Sequence, residues 1–187
     1  MEIEQLKARI ESKRGIPSPG KDTLTFLKGA ASESGKEVLD LGTGSGLIAI
    51  FFALKGRKVT ASDINKDALE VARENAAKFN LKIKFVQSDL FNKINNKFDL
   101  ILFNPPMGNV SGSKLLDYIK SFIPKNKLTL RLASFFFKSE RKSLLERFIL
   151  TGLSHLNKEG KIITIIHESE RRFIESLVKN KIEVLKH

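Results

Sequence analysis

From residue 36 onward, short apolar stretches alternate with segments whose apolar residues recur every three or four positions. Val38-Leu39-Asp40-Leu41 reads as a short buried strand running into a glycine-rich turn, and Leu47 to Leu54 as a helix. Lys58 to Ser62 predicts a second strand. Lys66 to Phe79 predicts a helix, because Ala68, Ala72, Ala76 and Phe79 fall on one face at helical spacing. Asn80 is a stop signal after it. Ile83 to Val86 reads as a third strand. Phe98 to Phe103 (F-D-L-I-L-F) reads as a fourth, apolar nearly throughout, as a strand covered on both faces must be. Lys138 to Leu156 has helical period, Lys161 to Ile166 is strand-like, Ser169 to Lys179 helical and Ile182 to Leu185 a last short strand. Such alternation predicts a doubly wound α/β sheet. Its right-handed crossovers bring the carboxyl ends of the strands to one edge, where ligands bind.

The first 35 residues break this pattern. Ile3 to Ile10 suits a short helix, and Gly15, Pro17, Pro19 and Gly20 interrupt it. Residues 1–35 are therefore expected to be an N-terminal extension on the substrate side, and residues 36–187 one ligand-binding domain.

Composition narrows the function. Hydrophobic residues make up 41% and charged residues 29%, ordinary for a globular chain. No apolar run reaches the ~18 residues of a membrane span. The N-terminus alternates charges (Glu2, Glu4, Lys7, Arg9) where a secretory signal would be apolar. A cytoplasmic protein with no membrane partner is expected. Cysteine is absent, which excludes disulfides, thiolate zinc sites and a cysteine nucleophile. His155, His167 and His187 are scattered, so no metal site is expected. The net charge of +12 favours a polyanionic partner such as RNA or a ribosome-associated complex. Between Ser111 and Leu150, nine basic residues face three acids, with Phe122 and Phe135 to Phe137 among them. Either this is a basic wall contacting phosphates, or the phenylalanines are core and the lysines a solvated face.

Four motifs carry candidate chemistry. Asp40-Leu41-Gly42-Thr43-Gly44-Ser45-Gly46 follows a strand and opens a helix. Its glycines let the backbone turn sharply and a ligand lie against it. The spacing is G-x-G-x-G, not the G-x-G-x-x-G of dinucleotide folds, which disfavours an NAD-dependent oxidoreductase. Asp40 offers an acid to the cationic parts of a sulfonium ligand with an amino-acid tail. Asp63, in Ser62-Asp63-Ile64-Asn65, ends the second strand and can accept both ribose hydroxyls; Asn65 suits a helix cap. Asp89, in Gln87-Ser88-Asp89-Leu90, ends the third strand, placed to accept from an adenine amino group. Asn104-Pro105-Pro106-Met107 follows the fourth strand. Two prolines remove two backbone donors and stiffen the turn, leaving carbonyls and the Asn104 side chain at the ligand edge.

The ordered set D-L-G-T-G-S-G, S-D-I-N, S-D-L and F-D-L-I-L-F-N-P-P resembles the class I S-adenosylmethionine-dependent methyltransferases, over about residues 36 to 167. The N-P-P element resembles the branch that methylates planar amino nitrogens: HemK/PrmC-like glutamine methyltransferases and the adenine-N6 and guanine-N2 methyltransferases. Pro19-Gly20-Lys21-Asp22-Thr23, followed by Leu24 and Leu27, resembles the P-x-E-D-T-x-x-L segment of archaeal and eukaryotic HemK-like proteins, with Lys21 in place of Glu. The resemblance implies a Rossmann-like, mostly parallel sheet and S-adenosyl-L-methionine as cofactor. It implies that Asp40, Gly42, Gly44, Gly46, Asp63, Ile64, Asp89, Leu90 and Asn104 hold that cofactor. It implies that Asn104, Pro105, Pro106 and Met107 form the catalytic element, with the Asn104 side-chain carbonyl and the Pro105 backbone carbonyl accepting the two N–H groups of the target. Two departures stand out. Met107 replaces the usual Tyr or Phe, and the chain ends at His187 with room for only one strand of the family's terminal hairpin. The expected activity is N-methylation of a protein glutamine in a translation factor. The alternatives are N-methylation of rRNA or tRNA at adenine N6 or guanine N2, and an inactive cofactor-binding scaffold. HemK-like relatives outside bacteria often need a small activating subunit, which makes one a candidate partner.

Overall fold

The computed structural model describes residues 1–105, 143–166 and 168–177. Helices α1 (Ile3–Ala8) and α2 (Lys21–Ala30) precede strand β1 (Glu37–Leu41). Then come α3 (Leu47–Leu54), β2 (Lys58–Asp63), α4 (Lys66–Ala77), β3 (Lys84–Gln87) and β4 (Phe98–Phe103). Helix α5 spans 143–154. Strand β5 (Leu156–Thr164) and helix α6 (Glu168–Leu177) follow. The chain divides into two compact units, Met1–Pro105 with Phe148–Ile166, and Pro106–Arg147 with His167–His187. In the second unit, the described part of α6 is braced along its exposed side by Arg171, which pairs with Glu175 one turn on and Glu168 one turn back. The expected strand from Ile182 to Leu185 lies outside the described residues.

The first unit holds the sheet, in the order β3-β2-β1-β4-β5, with every described pairing parallel. The chain winds outward from β1 through β2 to β3, then returns to lay β4 on the other flank of β1. The crevice at β1 and β4 is thus the switch point of a doubly wound sheet. Strands β1 and β4 are buried almost throughout, in keeping with their apolar runs.

Helix α3 is apolar on all sides, and six consecutive residues, Leu47 to Phe52, are buried. A helix of that kind needs cover on its outer face. The N-terminal helices share its core: Leu6 of α1 and Leu24, Phe26, Leu27 and Ala30 of α2 join it in one cluster with Val38, Val59 and Leu100. Fully burying a side chain of this size contributes about 1.5–3 kcal/mol. Helix α2 was not expected from the pattern; its polar start at Lys21-Asp22 and the internal Gly29 obscure a period that burial makes plain.

At the amino edge of the sheet, one carboxylate joins three strands. Asp99 of β4 accepts from the backbone amides of Lys36 (2.7 Å) and Glu37 (3.0 Å) before and in β1, and from the side-chain amide of Asn157 in β5 (2.7 Å). These donors hold its carboxyl below the usual carboxylate range.

Strand β5 begins earlier than expected. The helical reading to Leu156 overran, because Leu156 already pairs with Phe98; a bulge then carries the register to Lys161 opposite Leu100. A Cβ at Gly160 would come 2.7 Å from the Phe98 carbonyl, so this close crossing requires glycine.

Candidate functional site

The carboxyl ends of β1, β2, β3 and β4 carry the residues singled out in the sequence. After β1 the chain turns through Gly42, Gly44 and Gly46, whose φ angles are +64°, +55° and +87°. Gly46, the cap of α3, lies against α4: a Cβ there would sit 3.0 Å from the Ala72 Cβ and 3.1 Å from its Cα. Among the described residues, nothing lies within 4 Å of a Cβ built on Gly44. The turn is thus packed behind and open in front, which suits a ligand laid along its backbone.

Asp40 is fully buried. Its Oδ2 accepts from the Thr43 hydroxyl (2.7 Å) and the Ala49 amide (3.1 Å), while Oδ1 has no partner among the described residues. Burial pushes the Asp40 carboxyl up to about 7; the two hydrogen bonds oppose this, and the charge of Asp63 adds to it. A cationic group brought to Oδ1 would satisfy the free oxygen and restore the carboxylate.

Asp63 ends β2. Its Oδ2 accepts from the Gly44 amide (3.0 Å) and its Oδ1 from the Asn65 amide (2.9 Å). An ionised carboxylate has about four acceptor positions, so two remain for a ligand. Asn65 caps α4 by accepting from the Asp67 amide. Ile64, beside Asp63, leaves its apolar side chain 66% exposed. At the end of β3, Asp89 is half-buried and Leu90 has φ +45°, uncommon for a residue with a side chain.

Asn104 follows β4. Its Nδ2 donates to the hydroxyl of Thr23 in the first turn of α2 (3.2 Å), and its Oδ1 is buried without a partner among the described residues. Pro105 is buried next to it. Behind them, the Phe103 ring packs on Phe148 (4.6 Å), Phe148 on Phe91 (6.0 Å) and Phe91 on His155 (4.6 Å). The ring nitrogens of His155 have local partners, the Ile94 carbonyl at Nε2 and, at Nδ1, the Thr151 carbonyl and the Ser154 hydroxyl, so this histidine serves packing. Pro106 and Met107 lie outside the described residues, as do Lys138, Arg141, Lys142 and most of the basic stretch.

Five buried side-chain atoms lack a partner among the described residues. Four sit at the carboxyl ends of strands: Asp40 Oδ1, Ser62 Oγ, Asn104 Oδ1 and Thr164 Oγ1; the fifth, Arg57 Nε, precedes β2. Buried polar groups are normally paired, at a cost of about 1–3 kcal/mol when they are not. Four of the five thus lie on one edge of the sheet, the edge that carries the candidate motifs. Sequence reasoning missed Thr23, Ser62 and Thr164. Thr23 stood in a quoted motif, but nothing in the sequence joins it to a residue 81 positions away.

A parallel sheet that turns back between β1 and β4, with a glycine turn after β1 and acids at the ends of β2 and β3, is the scaffold of the class I S-adenosylmethionine-dependent methyltransferases. The profile of the methyltransferase small domain matches residues 20–132, and the chain belongs to that family. It is 34% identical over 170 residues to a Methanocaldococcus jannaschii protein that carries the name protein N5-glutamine methyltransferase, covering 90% of this chain and 79% of that one. It is 31% identical over 183 residues to the release factor glutamine methyltransferase of Lactococcus lactis, covering 96% of this chain and 66% of that protein. The likeness thus extends to the HemK-like branch. Among solved structures, a ribosomal protein L11 methylase from Lactobacillus delbrueckii subsp. bulgaricus superposes with a TM-score of 0.57 at 24% identity, over 83% of this chain and 64% of that one, which is a likeness of fold. Among the described residues, no helix is long and apolar enough to cross a membrane.

Proposed function

We propose that the protein methylates the side-chain amide of a glutamine in a protein of the translation machinery, a release factor being the first candidate, and that it works in the cytoplasm. The observation that carries this reading is the Asn104 side chain, whose oxygen is buried and unpartnered while its nitrogen is engaged by Thr23. Both glutamine methyltransferases named above align over most of this chain, which supports the same target.

The residues present fit S-adenosylmethionine. Gly44 would leave room for it, Asp40 would offer Oδ1 to its amino-acid tail, Asp63 would accept from ribose hydroxyls, and Asp89, Ile64 and Leu90 would hold the adenine. When bound, it supplies an electrophilic methyl group on a positively charged sulfur. The work of the chain is then to prepare a poor nucleophile. An amide nitrogen has a delocalised lone pair; Asn104 Oδ1 and the Pro105 carbonyl accept its two N–H groups and turn the lone pair toward the methyl. Positioning of this kind can lower a barrier by ~7–11 kcal/mol, and fixed acceptors add electrostatic complementarity. On this reading residues 1–35 are a substrate-side extension and residues 36–187 the cofactor-binding domain, and the resemblance of the N-P-P element assigns Pro106 and Met107 to the catalytic element as well.

The net charge of +12 favours a second reading, transfer to an amino nitrogen of RNA presented single-stranded or flipped out. Methyl transfer from labelled cofactor into a cell extract, digested separately with protease and nuclease, decides between them. Label released by protease and lost with Asn104→Ala supports the glutamine reading. Label released by nuclease overturns it.

A further inference from the structure

We propose that residues 9–20, between α1 and α2, form a strap whose seating on α4 is coupled through Asn75 to occupation of the glycine turn, so that bound S-adenosylmethionine fastens it. The inference rests on the placing of the cofactor along that turn.

One stripe of α4 carries both elements. Ala68, Val71, Ala72 and Asn75 follow one another at helical spacing, and all four are buried. Ile16 of the strap packs on Ala68 and Val71, and Gly46 of the turn lies against Ala72. Asn75 stands where the two meet. Its Nδ2 has two hydrogens: one goes to the Glu11 carbonyl (2.8 Å) and the other to the Ser45 carbonyl (2.9 Å). Its Oδ1 accepts from the Glu11 amide and from the Lys78 ammonium, each at 3.0 Å. Every hydrogen-bonding position of this amide is thus in use, and the strap and the turn share one nitrogen.

The strap is otherwise lightly held. Between residues 11 and 20 only Ile16 and Pro19 are buried. The ion pairs Lys13–Glu74 and Lys78–Glu11 lie at the surface, where such pairs contribute little. A segment with so few buried contacts opens locally, without unfolding the domain. When it lifts, Asn75 loses both bonds to Glu11 and meets water, and its grip on Ser45 loosens. A ligand that lies along the fastened turn then binds less well. Linkage makes the effect reciprocal: the cofactor holds the strap down by the same factor by which the seated strap tightens the cofactor. The strap runs directly into α2, whose Thr23 reaches Asn104, so occupation of the turn is relayed to the acceptor side.

The test uses the whole chain and needs no acceptor. Lys13 and Arg14 are exposed on the strap, and trypsin cutting after them follows the population in which the segment has lifted. Saturating S-adenosylmethionine is expected to slow that cutting by roughly 5- to 150-fold in the wild type, the usual range of such coupling. Asn75→Ala is expected to abolish the protection even with the cofactor bound, which a general gain in stability would not do. Ile16→Asp sets a charge against Ala68 and Val71 and unseats the strap without touching the turn. By calorimetry it is expected to weaken cofactor binding by the factor measured as protection, to within about threefold. The proposal is overturned if bound cofactor leaves cutting unchanged, if protection persists in Asn75→Ala, or if Ile16→Asp binds the cofactor as the wild type does. Should a variant fail to fold, the Glu11 amide of the wild type decides by NMR: slower exchange with cofactor supports the coupling, and equal exchange with and without it overturns it. The placing of the cofactor fails separately, if Gly44→Ala leaves cofactor affinity unchanged.

Discussion

The side-chain amide of Asn75, in α4, donates to the carbonyl of Ser45 in the glycine turn at 2.9 Å. The same group also donates to the Glu11 carbonyl (2.8 Å), and its oxygen accepts from the Glu11 amide (3.0 Å). One buried residue thus fastens both the N-terminal segment and the turn to α4. Asn75→Ala strands these backbone groups, at about 1–3 kcal/mol for each that stays buried and unpaired. A drop of roughly 5–10 °C in melting temperature is expected for a chain of this size, together with weaker cofactor binding. A shift under about 1 °C in a melting scan would show that water replaces the clamp.

Asp40 makes stability depend on pH. Its carboxyl ordinarily titrates at 3.8 and is raised to about 7 by burial. Between those values the folded chain holds a proton that the unfolded chain has released. Stability from this group is therefore full below pH ~4 and falls by about 1.4 kcal/mol per unit as pH rises toward 7. Asp40→Asn should flatten that decline in denaturant titrations from pH 4 to 7; an unchanged slope would assign it to other groups. Cofactor binding should also release a proton near pH 6, detectable by calorimetry in buffers of different ionisation enthalpy.

Gly44 and Gly46 should respond in opposite ways. Alanine at 46 meets both the strain of φ +87° and the backbone of Ala72, so Gly46→Ala should cost about 2–4 kcal/mol of stability. Alanine at 44 meets only the strain of φ +55°, about 1 kcal/mol. Its methyl group would fill the open side of the turn, and cofactor affinity should fall by roughly tenfold or more. Parallel melts and calorimetry separate the two; equal effects on affinity would move the ligand off Gly44.

For Asp63 the expected outcome is a loss of binding. Removing hydrogen bonds from a charged acceptor costs about 1.5–3 kcal/mol, so Asp63→Ala should weaken S-adenosylmethionine binding by roughly ten- to a hundredfold. Unaltered affinity in a folded variant would mean that Asp63 serves only Gly44 and Asn65.

The parts of this molecule legible in the sequence are those decided by local pattern. Phe98 to Phe103 could only be a strand covered on both faces, and Leu47 to Leu54 only a buried helix. The glycine turn and the acids after each strand followed from the order of the motifs. What escaped was decided at a distance. Asn75 looks like one polar residue in a polar helix, yet it is 1% exposed because its partners come from positions 11 and 45. The polar stretch Asn157 to Gly160 falls between the helix and the strand that the pattern predicts, but belongs to β5 because a bulge lets it continue the pairing with β4.

The clamp that Asp99 forms across β1, β4 and β5 makes the sheet mechanically lopsided. At its amino edge Asp99 ties β1, β4 and β5 together, while the edge proposed to face the cofactor carries four buried oxygens without a partner among the described residues. Thermal breathing should follow that division, with the backbone amides of Lys36 and Glu37 slow to exchange and those around Gly44 fast, so that a single strand connects a stiff anchor to a compliant mouth. Donor and product can then come and go by loosening a few residues at one end, and the core around α3 need not open for each turnover.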